Sequence, residues 1–197
     1  MATWVFESGH TAAEFRARHM MVSWVRGHFK DVHGSLEFDP DNPAHLTMET
    51  TIQAHLLWTG ELERDNHLRS ADFLDVAQHR TITFKSTACK CIGSTDYEVT
   101  GDLSIRGVSR SVVVEMHYLG RWATPYWTGA GDAGPIARVG FVGETRINRR
   151  DFQVSWNGDL ENRGVVVSDE VFITVDVEAL LESELQRALH KSEAVRS

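Results

Sequence analysis

The stretch Tyr97–Tyr118, YEVTGDLSIRGVSRSVVVEMHY, decides the fold class of this 197-residue chain. Apolar and polar residues alternate through its first half and again through its second half. A period of two is typical of strands that bury one face. The intervening Arg106–Ser109 contains a glycine and is short enough to be a turn. The stretch therefore predicts two antiparallel strands joined as a hairpin.

The same alternation recurs from one end of the chain to the other. In Leu46–Ala54, for example, the apolar residues lie two or four positions apart and share one face of a strand. Further alternating sets are Ala13/Phe15/Ala17, Leu36/Phe38, Ile82/Phe84/Ser86, Val139/Phe141/Gly143/Thr145/Ile147 and Val171/Ile173/Val175/Val177. Eight or more such strands predict an all-β fold, with an antiparallel sheet that is closed or nearly closed.

The strand pattern is interrupted by segments expected to be helical, namely Arg18–Ser23, Gly60–Asp75 and Ala179–Lys191. In the last of these, Leu181, Leu185 and Leu189 recur every four residues and form an apolar stripe. The stripe predicts packing on the outside of the barrel, with a dimer contact as the alternative. Gly120–Ala137 is expected to be the longest irregular loop, and its aromatic residues either cap a barrel mouth or anchor the loop.

The segment Gly60–Asp75 is dense in charged residues. Ser70 is expected to cap a helix that begins at Ala71, because a serine hydroxyl accepts hydrogen bonds from the first free amides. Arg64 and Asp65 are adjacent and diverge on a helix, so each needs a partner on the barrel or on a ligand. Asp65 and Arg69 lie four residues apart, a spacing that favours an ion pair.

Composition restricts the class of protein. Hydrophobic residues make up 42% and charged residues 24% of the chain, which is ordinary for a soluble globular protein. The length fits one domain over residues 1–197, with a core of about 3–178 and a helix at about 179–191. No apolar run is long enough to span a membrane, and no secretory signal is evident, so a cytoplasmic location is expected. Cys89 and Cys91 are expected to be free thiols, because a bridge between them would be strained.

The charge of the chain bears on its partners. The formal net charge is −8, and no segment concentrates Lys and Arg into a stripe. Nucleic acids and anionic membrane surfaces are bound mainly through clustered positive charge. The composition therefore disfavours both as partners.

A search for catalytic and metal-binding motifs returns none that is specific. The ten histidines include no His-x-x-x-His pair, and no Cys-x-x-Cys accompanies them. No Gly-x-Ser-x-Gly motif is present. The Gly129–Gly134 segment matches a dinucleotide-binding pattern but neither follows a parallel strand nor begins a helix. The sequence therefore predicts no catalytic residue, no cofactor and no metal site.

Beyond these single motifs, one series of residues resembles the YceI-like family in order and spacing, from Trp4 to about Glu178. The series is Phe15…His19, Gly27-His28-Phe29, Gly34, Phe38-Asp39, Thr59-Gly60, Arg64–Asp75, Ile82–Thr87, Gly101–Ser109 and Ile147–Phe152. Each motif alone is a moderate signal, but together they are a strong one. The chain departs from the family at Arg80, where a proline is common, and at Gln153, where a glycine is usual.

The resemblance implies a lipocalin-like fold, an extended eight-stranded antiparallel barrel that holds a long apolar molecule such as a polyisoprenoid, often in a dimer. It also makes several apolar residues candidates for the ligand-binding wall, with ordinary core packing as the alternative for each: Phe15, Met20, Met21, Val22, Trp24, Phe29, Leu68, Phe73 and Phe84. Four polar residues would then lie nearest a head group or the barrel entrance: His19, Arg64, Asp65 and His67.

Three functions compete at this stage. The leading hypothesis is non-enzymatic binding, storage or transport of a polyisoprenoid or a lipid similar to an isoprenoid quinone. The first alternative is an enzyme that acts on a bound lipid, with His19, Asp65 and His67 as acid and base, and it requires those side chains to converge. The second is a stress-response or interaction module with a filled barrel. An eight-stranded barrel is wide enough for either a slender ligand or its own side chains. The alternation alone therefore does not distinguish a ligand-binding barrel from a filled one.

Overall fold

The computed structural model describes residues 1–42, 45–129, 131–158 and 165–196. The strands are β1 (Ala2–Phe6), β2 (Ala12–His19), β3 (Ser23–Phe29), β4 (Val32–Phe38), β5 (Leu46–Gln53), β6 (Thr81–Cys91), β7 (Asp96–Ile105), β8 (Val108–Thr128), β9 (Gly131–Asn148) and β10 (Val167–Leu181). The helices are α1 (Leu62–Arg69) and α2 (Glu182–Arg196), with short 3-10 helices at Ala54–Leu56 and Arg149–Phe152.

Eight antiparallel strands close into a barrel in the order β1-β4-β5-β6-β7-β8-β9-β10, and β10 closes the ring by pairing with β1. Strand β10 is long enough to have two partners along one edge. Its last residues pair with β1, and its earlier residues pair with β2, which carries β3 on its far side. The expected all-β barrel with a helical insertion and a C-terminal helix is thus confirmed.

The two ends of the barrel differ in their connections. At one end, which we call the insertion end, the 54–80 segment connects β5 to β6, and the β2–β3 turn, the β7–β8 turn and the Arg149–Phe152 helix lie beside it. At the other end, which we call the packed end, β1 meets the end of β10, and β8 and β9 run on past the barrel as a long hairpin. Whether the barrel can hold a ligand therefore depends on which side chains fill the half toward each end.

Two segments expected to be irregular or helical are strands. Residues 18–23 are the last two residues of β2, a three-residue turn and the first residue of β3, because the ladder from His19↔Ser23 to Ala13↔Phe29 pairs the two strands. Most of Gly120–Ala137 is likewise paired between β8 and β9. Of its aromatic residues, Trp122 and Trp127 are exposed and cap no mouth, whereas Tyr126 packs beside α2.

Helix α2 lies against the outside of the barrel, as the leucine stripe predicts. Leu185 and Ala188 pack on Ile136 and Leu180. The stripe is shorter than expected at both ends, because Leu181 still belongs to β10 and Leu189 is exposed.

The helix of the insertion lies within the expected Gly60–Asp75 but covers only Leu62–Arg69, and it ends at Ser70, the residue that was expected to cap the beginning of a helix. Glu61 is the N-cap, and its carboxylate accepts hydrogen bonds from the amides of Glu63 and Arg64 at 3.0 and 2.6 Å. These bonds favour the charged form and hold the pKa of Glu61 below its usual value. Ser70 is the C-cap, and its hydroxyl donates to the carbonyl of His67. A serine stabilises either end, so only the tertiary contacts of the helix decide which one it caps.

Candidate ligand cavity

The half of the barrel toward the insertion end is hollow. It encloses a cavity of about 200 Å³ whose wall is almost entirely apolar. The wall comes from nearly every strand and from the insertion, and its members include Phe15, Ala17, Phe29, Met48, Ile52, Leu57, Leu68, Phe73, Ile82, Phe84, Leu103, Ile105, Val112, Val114, Met116, Ile147, Phe152, Val171, Ile173 and Val175. Cavities of roughly 150 Å³ with such walls bind small apolar molecules. The space therefore suits an apolar guest.

Glycines keep two phenylalanines of the wall out of the centre of this cavity. The ring of Phe15 lies against Gly27, where an added Cβ would stand 2.5 Å from the ring. The ring of Phe84 lies against Gly101 in the same way, 2.4 Å from such a Cβ. Because a side chain at either position would push the ring inward, each glycine widens the lumen.

The other half of the barrel is filled by aromatic side chains. Phe38 makes edge-on contacts with Tyr97, Tyr118 and Phe141, with ring centroids 6.2, 4.9 and 5.1 Å apart. Trp4 seals the same layer, and its indole Nε1 donates to the carbonyl of Phe38 at 3.0 Å. This aromatic layer, which we call the aromatic floor, closes the barrel beyond the residues that line the cavity.

The insertion covers the open end of the cavity, and we call Leu57–Leu74 the lid. Leu57, Leu68, Phe73 and Leu74 face the cavity. Arg106, in the β7–β8 turn, donates to the carbonyls of Ala71 and Phe73 at 2.7 and 2.9 Å. The lid is therefore attached to the barrel rim by polar contacts on top of its apolar underside.

Arg64 and Asp65 meet on Thr59 instead of diverging to separate partners. The buried carboxylate of Asp65 accepts hydrogen bonds from the amide of Thr59 at 2.9 Å and from its hydroxyl. Arg64 donates to the hydroxyl and the carbonyl of Thr59 at 2.7 and 3.0 Å. The expected Asp65–Arg69 pair is not formed, because Arg69 donates to the carbonyls of His55 and Leu57. These charges hold the lid together.

His67 is a polar side chain of the lid that contacts two aromatic residues. Its Nε2 lies 2.9 Å from a carboxylate oxygen of Asp72. Its ring stands edge-on to Phe73 and Trp156, with centroids 5.0 and 4.6 Å away. Because the side chain is partly exposed, His67 lies between the apolar cavity and solvent.

Arg149 is a buried cation beside the cavity that sequence reasoning did not single out as a site residue. It donates to the carbonyls of Val154, Trp156, Val167 and Ser168 and to the carboxylate of Asp169. Burial lowers its pKa, and the nearby Arg150 lowers it further, whereas Asp169 opposes the shift. Since the guanidinium has five donors and all are engaged, Arg149 fixes the rim and has none left for a ligand.

The cavity contains some of the predicted ligand-binding residues and leaves out others. Phe15, Phe29, Leu68, Phe73 and Phe84 are in its wall. Met20, Met21 and Val22 are exposed at the β2–β3 turn, and Trp24 lies on the outer face of β3 beside Arg18. His19, Arg64, Asp65 and His67 are outside the wall. Ligand contact by any of these residues stays a prediction.

The convergence that the enzymatic alternative requires is not formed. Asp65 is engaged by Thr59 and His67 by Asp72, while His19 lies at the end of β2. Within the described ranges, no hydrogen bond or ion pair joins these three side chains.

One group of potential metal ligands lies on the outer surface of the barrel, near the packed end. His10, Glu7 and Glu178 are close together, with the His10 Nδ1 3.5 and 3.3 Å from the two carboxylates. The guanidinium of Arg138 contacts both carboxylates. Because Arg138 already pairs with both carboxylates, we interpret the group as an ion-pair cluster.

Most of the wall was missed as a site, although the sequence contained a signal for it. Val112, Val114, Val171 and Val175 were recognised as inward-facing from their alternation. Only the three-dimensional arrangement shows that they border a void, because a valine in a filled layer has the same pattern.

Comparisons with known proteins agree with the architecture. The family model of the YceI-like domain matches residues 4–179. Protein YceI of Escherichia coli is 39% identical over 148 residues, which are 75% of this chain and 73% of that protein. Burkholderia cenocepacia BcnA superposes with a TM-score of 0.70 at 24% identity, covering 88% of this chain and 98% of BcnA. A polyisoprenoid binding domain from Saccharophagus degradans, implicated in plant cell wall breakdown, superposes with a TM-score of 0.64 at 10% identity, covering 92% and 99%.

None of the helices in the described ranges has both the length and the apolar character needed to cross a bilayer.

Proposed function

This chain belongs to the YceI-like family, and from that premise we propose that its barrel binds, and stores or transports, a polyisoprenoid or a lipid similar to an isoprenoid quinone, without catalysing a reaction on it. The observation that carries the proposal is the apolar cavity between the aromatic floor and the lid. A fold neighbour that is itself a polyisoprenoid binding domain supports the same ligand class.

Apolar burial supplies the affinity in this proposal. Each Å² of apolar surface removed from water contributes roughly 25 cal/mol, and a wall of aliphatic and phenyl groups offers such surface all round. Since this driving force is non-directional, it favours a long tail over a short one without selecting its chemistry closely.

The volume of the cavity implies that the lid moves on binding. About 200 Å³ is less than the roughly 300–1,000 Å³ typical of sites for drug-sized ligands. A long tail therefore needs the lid to lift away from the rim. Arg106 holds the lid by carbonyl contacts that can be exchanged for water, so opening does not require unfolding of the aromatic floor.

The head group of the lipid is proposed to lie at the rim beside His67. His67 is in contact with Phe73, a wall residue, and reaches solvent. Arg64 and Asp65, by contrast, are engaged with Thr59. His19 is the other predicted polar residue at this end.

The test is organic extraction of freshly purified protein followed by mass spectrometry, together with thermal melting in the presence of added isoprenoids. Two neighbouring residues of β8 give a matched pair of variants. Val112 faces the cavity and Val113 is exposed. Val112→Phe fills the lumen and should reduce bound lipid and the ligand-induced rise in Tm, whereas Val113→Phe should leave both unchanged.

A barrel that is reproducibly empty after extraction, and that added isoprenoids do not stabilise, would contradict the proposal. So would an equal loss of lipid in Val112→Phe and Val113→Phe, because the lipid would then be bound outside the cavity. Assembly as a homodimer is a separate part of the proposal, and light scattering of the purified chain tests it.

A further inference from the structure

The connection between β2 and β3 exposes apolar side chains where the backbone is least suited to them. Met20 and Met21 have φ values of 48° and 61°, and the amide of Val22 donates to the carbonyl of His19 at 3.1 Å, which closes a tight turn with the two methionines at its central positions. Such turns favour Asn and Gly, which adopt positive φ readily. Met20, Met21 and Val22 are nevertheless 43%, 55% and 81% exposed. Neither local conformation nor core packing accounts for these residue types.

The outer face of the same hairpin is positively charged and aromatic. Cross-strand pairing puts Arg16 opposite Arg26 and Arg18 opposite Trp24 on that face. The guanidinium of Arg18 lies 4.3 Å from the centre of the Trp24 ring, and that of Arg16 lies 5.0 Å from the ring of Phe172 on β10. These contacts leave the charges at the surface, because a guanidinium stacked on a ring keeps its N–H donors free.

These cations are without acidic partners. The segment 15–30 contains Arg16, Arg18, Arg26 and Lys30 but no Asp or Glu, in a chain of net charge −8. In the described part of the chain, none of the four forms a salt bridge. Two of the acidic residues near the turn are engaged, because Asp169 pairs with Arg150 and Glu170 pairs with Arg146. Glu14 lies two residues before Arg16 on the same face of β2, on the side away from the turn, and forms no salt bridge among the described residues.

The hairpin also borders the cavity. The side chains of Phe15 and Ala17, which point to the opposite face from the arginines, are part of the cavity wall. The exposed turn lies at the insertion end, beside the rim that the lid covers. One element thus has an apolar inner face on the cavity, a cationic outer face and an apolar tip.

We propose that the β2–β3 hairpin docks the protein on an anionic lipid bilayer. Met20, Met21 and Val22 enter the boundary between head groups and acyl chains, Trp24 lies at head-group depth, and Arg16, Arg18 and Arg26 contact lipid phosphates. The net negative charge of the chain does not prevent this, because salt screens charges more than roughly 10 Å away while the arginines touch the surface. The proposal goes beyond ligand binding and differs from the expectation drawn from net charge, since strand pairing gathers cations that the composition dilutes.

The experiment is flotation of the full chain with vesicles of phosphatidylcholine alone and with vesicles of an equimolar phosphatidylcholine and phosphatidylglycerol mixture. The wild type should float with the mixed vesicles and lose binding as salt is raised. Met20→Asn/Met21→Gly gives the turn its favoured residues, so the hairpin should fold at least as well while binding weakens about tenfold or more through the lost apolar tip. Arg16→Gln/Arg18→Gln/Arg26→Gln should weaken binding about a hundredfold, since each cation at an anionic surface contributes roughly fivefold.

Matched controls carry the same changes elsewhere. Arg110→Gln/Arg121→Gln/Arg187→Gln removes the same charge from exposed positions outside the hairpin, and Trp127→Ser removes an exposed apolar side chain at the other end of the molecule. Both should bind as the wild type does. Equal loss in the controls, equal binding to neutral vesicles, or no flotation of the wild type would overturn the proposal. Val112→Phe should float normally, so a failure of docking is distinguishable from a failure of lipid binding in the cavity.

Discussion

The two halves of the barrel share one strand pattern but differ in what their inward residues do. Toward the packed end, Phe38, Tyr97 and Phe141 meet edge to face and leave no space for a guest. Toward the insertion end, branched aliphatic residues such as Val112 and Val175 line a void. Alternation sets which residues point inward, whereas side-chain size sets whether they meet.

Position matters as well as size, because both halves contain phenylalanine. In the packed half the ring of Phe38 points to its neighbours across the lumen. In the hollow half the rings of Phe15 and Phe84 lie against Gly27 and Gly101 on the wall. At these two positions, the glycine beside the phenylalanine leaves room for its ring at the wall of the cavity.

The largest effect is expected from opening the packed half. Phe38→Ala removes the ring that contacts three other aromatic residues and should lower the free energy of unfolding by about 3–5 kcal/mol. Val112→Ala, its counterpart in the hollow half, should cost about 1 kcal/mol or less, since that side chain already borders empty space. Urea denaturation of the two variants gives both values, and equal losses would mean that the halves are packed alike.

An intermediate effect is expected from narrowing the hollow half. Gly27→Ala places a methyl group where the ring of Phe15 now lies, so the ring must turn into the lumen. We expect the free energy of unfolding to fall by about 1–3 kcal/mol because the core is overpacked. We also expect reduced binding of added isoprenoids. Gly9→Ala is the matched control, because a Cβ at Gly9 meets no atom within 4 Å. Unchanged lipid binding in Gly27→Ala would show that Phe15 does not limit the cavity.

The smallest effect on the free energy of unfolding is expected from removing one polar atom in the packed half. The hydroxyl of Tyr97 is buried, with no hydrogen-bond partner among the residues described. Tyr97→Phe removes this unsatisfied group and should raise the free energy of unfolding by about 1 kcal/mol at neutral pH. A loss of stability instead would mean that the hydroxyl has a partner, such as a buried water.

The same residue makes the packed half sensitive to alkaline pH. Burial raises the pKa of Tyr97 to about 12, with further contributions from Cys91 and Cys89, whereas an unfolded tyrosine titrates near 10. Because the folded state favours the neutral phenol, the contribution of Tyr97 to the free energy of unfolding is fully present below pH 10. It is lost as the pH rises toward 12, since the unfolded state then ionises more readily. Tyr97→Phe should flatten the fall in stability over that interval. Burial also raises the pKa of Tyr118, so a smaller slope should remain.

The sequence predicted strands more reliably than it predicted their interruptions. Inward-facing sets such as Val171/Ile173/Val175 were read correctly, because a strand buried on one face must alternate. Residues 18–23 and the position of Ser70 were read wrongly, since methionine, serine and arginine suit both turns and helix ends. Their conformation depends on partners distant in sequence, which local propensity does not contain.

The residues of the candidate site were likewise predicted only in part. Phe15, Phe29 and Phe84 were predicted as ligand-binding and are in the cavity wall, but the exposed Met20 and Met21 are not. Arg64 and Asp65 were recognised as charges in need of partners, yet their common partner, Thr59, was not foreseen. Thr59 is only five or six residues away, but the sequence does not show that the chain turns back between Thr59 and the helix to bring these side chains together.

By itself, the sequence determined an antiparallel barrel, its inward-facing residues and its family, because a period of two and an ordered series of motifs are local properties. Only the tertiary structure decided that one half is filled and the other hollow, that the charged insertion is a lid whose charged residues meet on Thr59, and that the arginines of β2 and β3 share one outer face. These features arise where side chains from separate strands meet, and their sizes and charges combine only after the chain has closed.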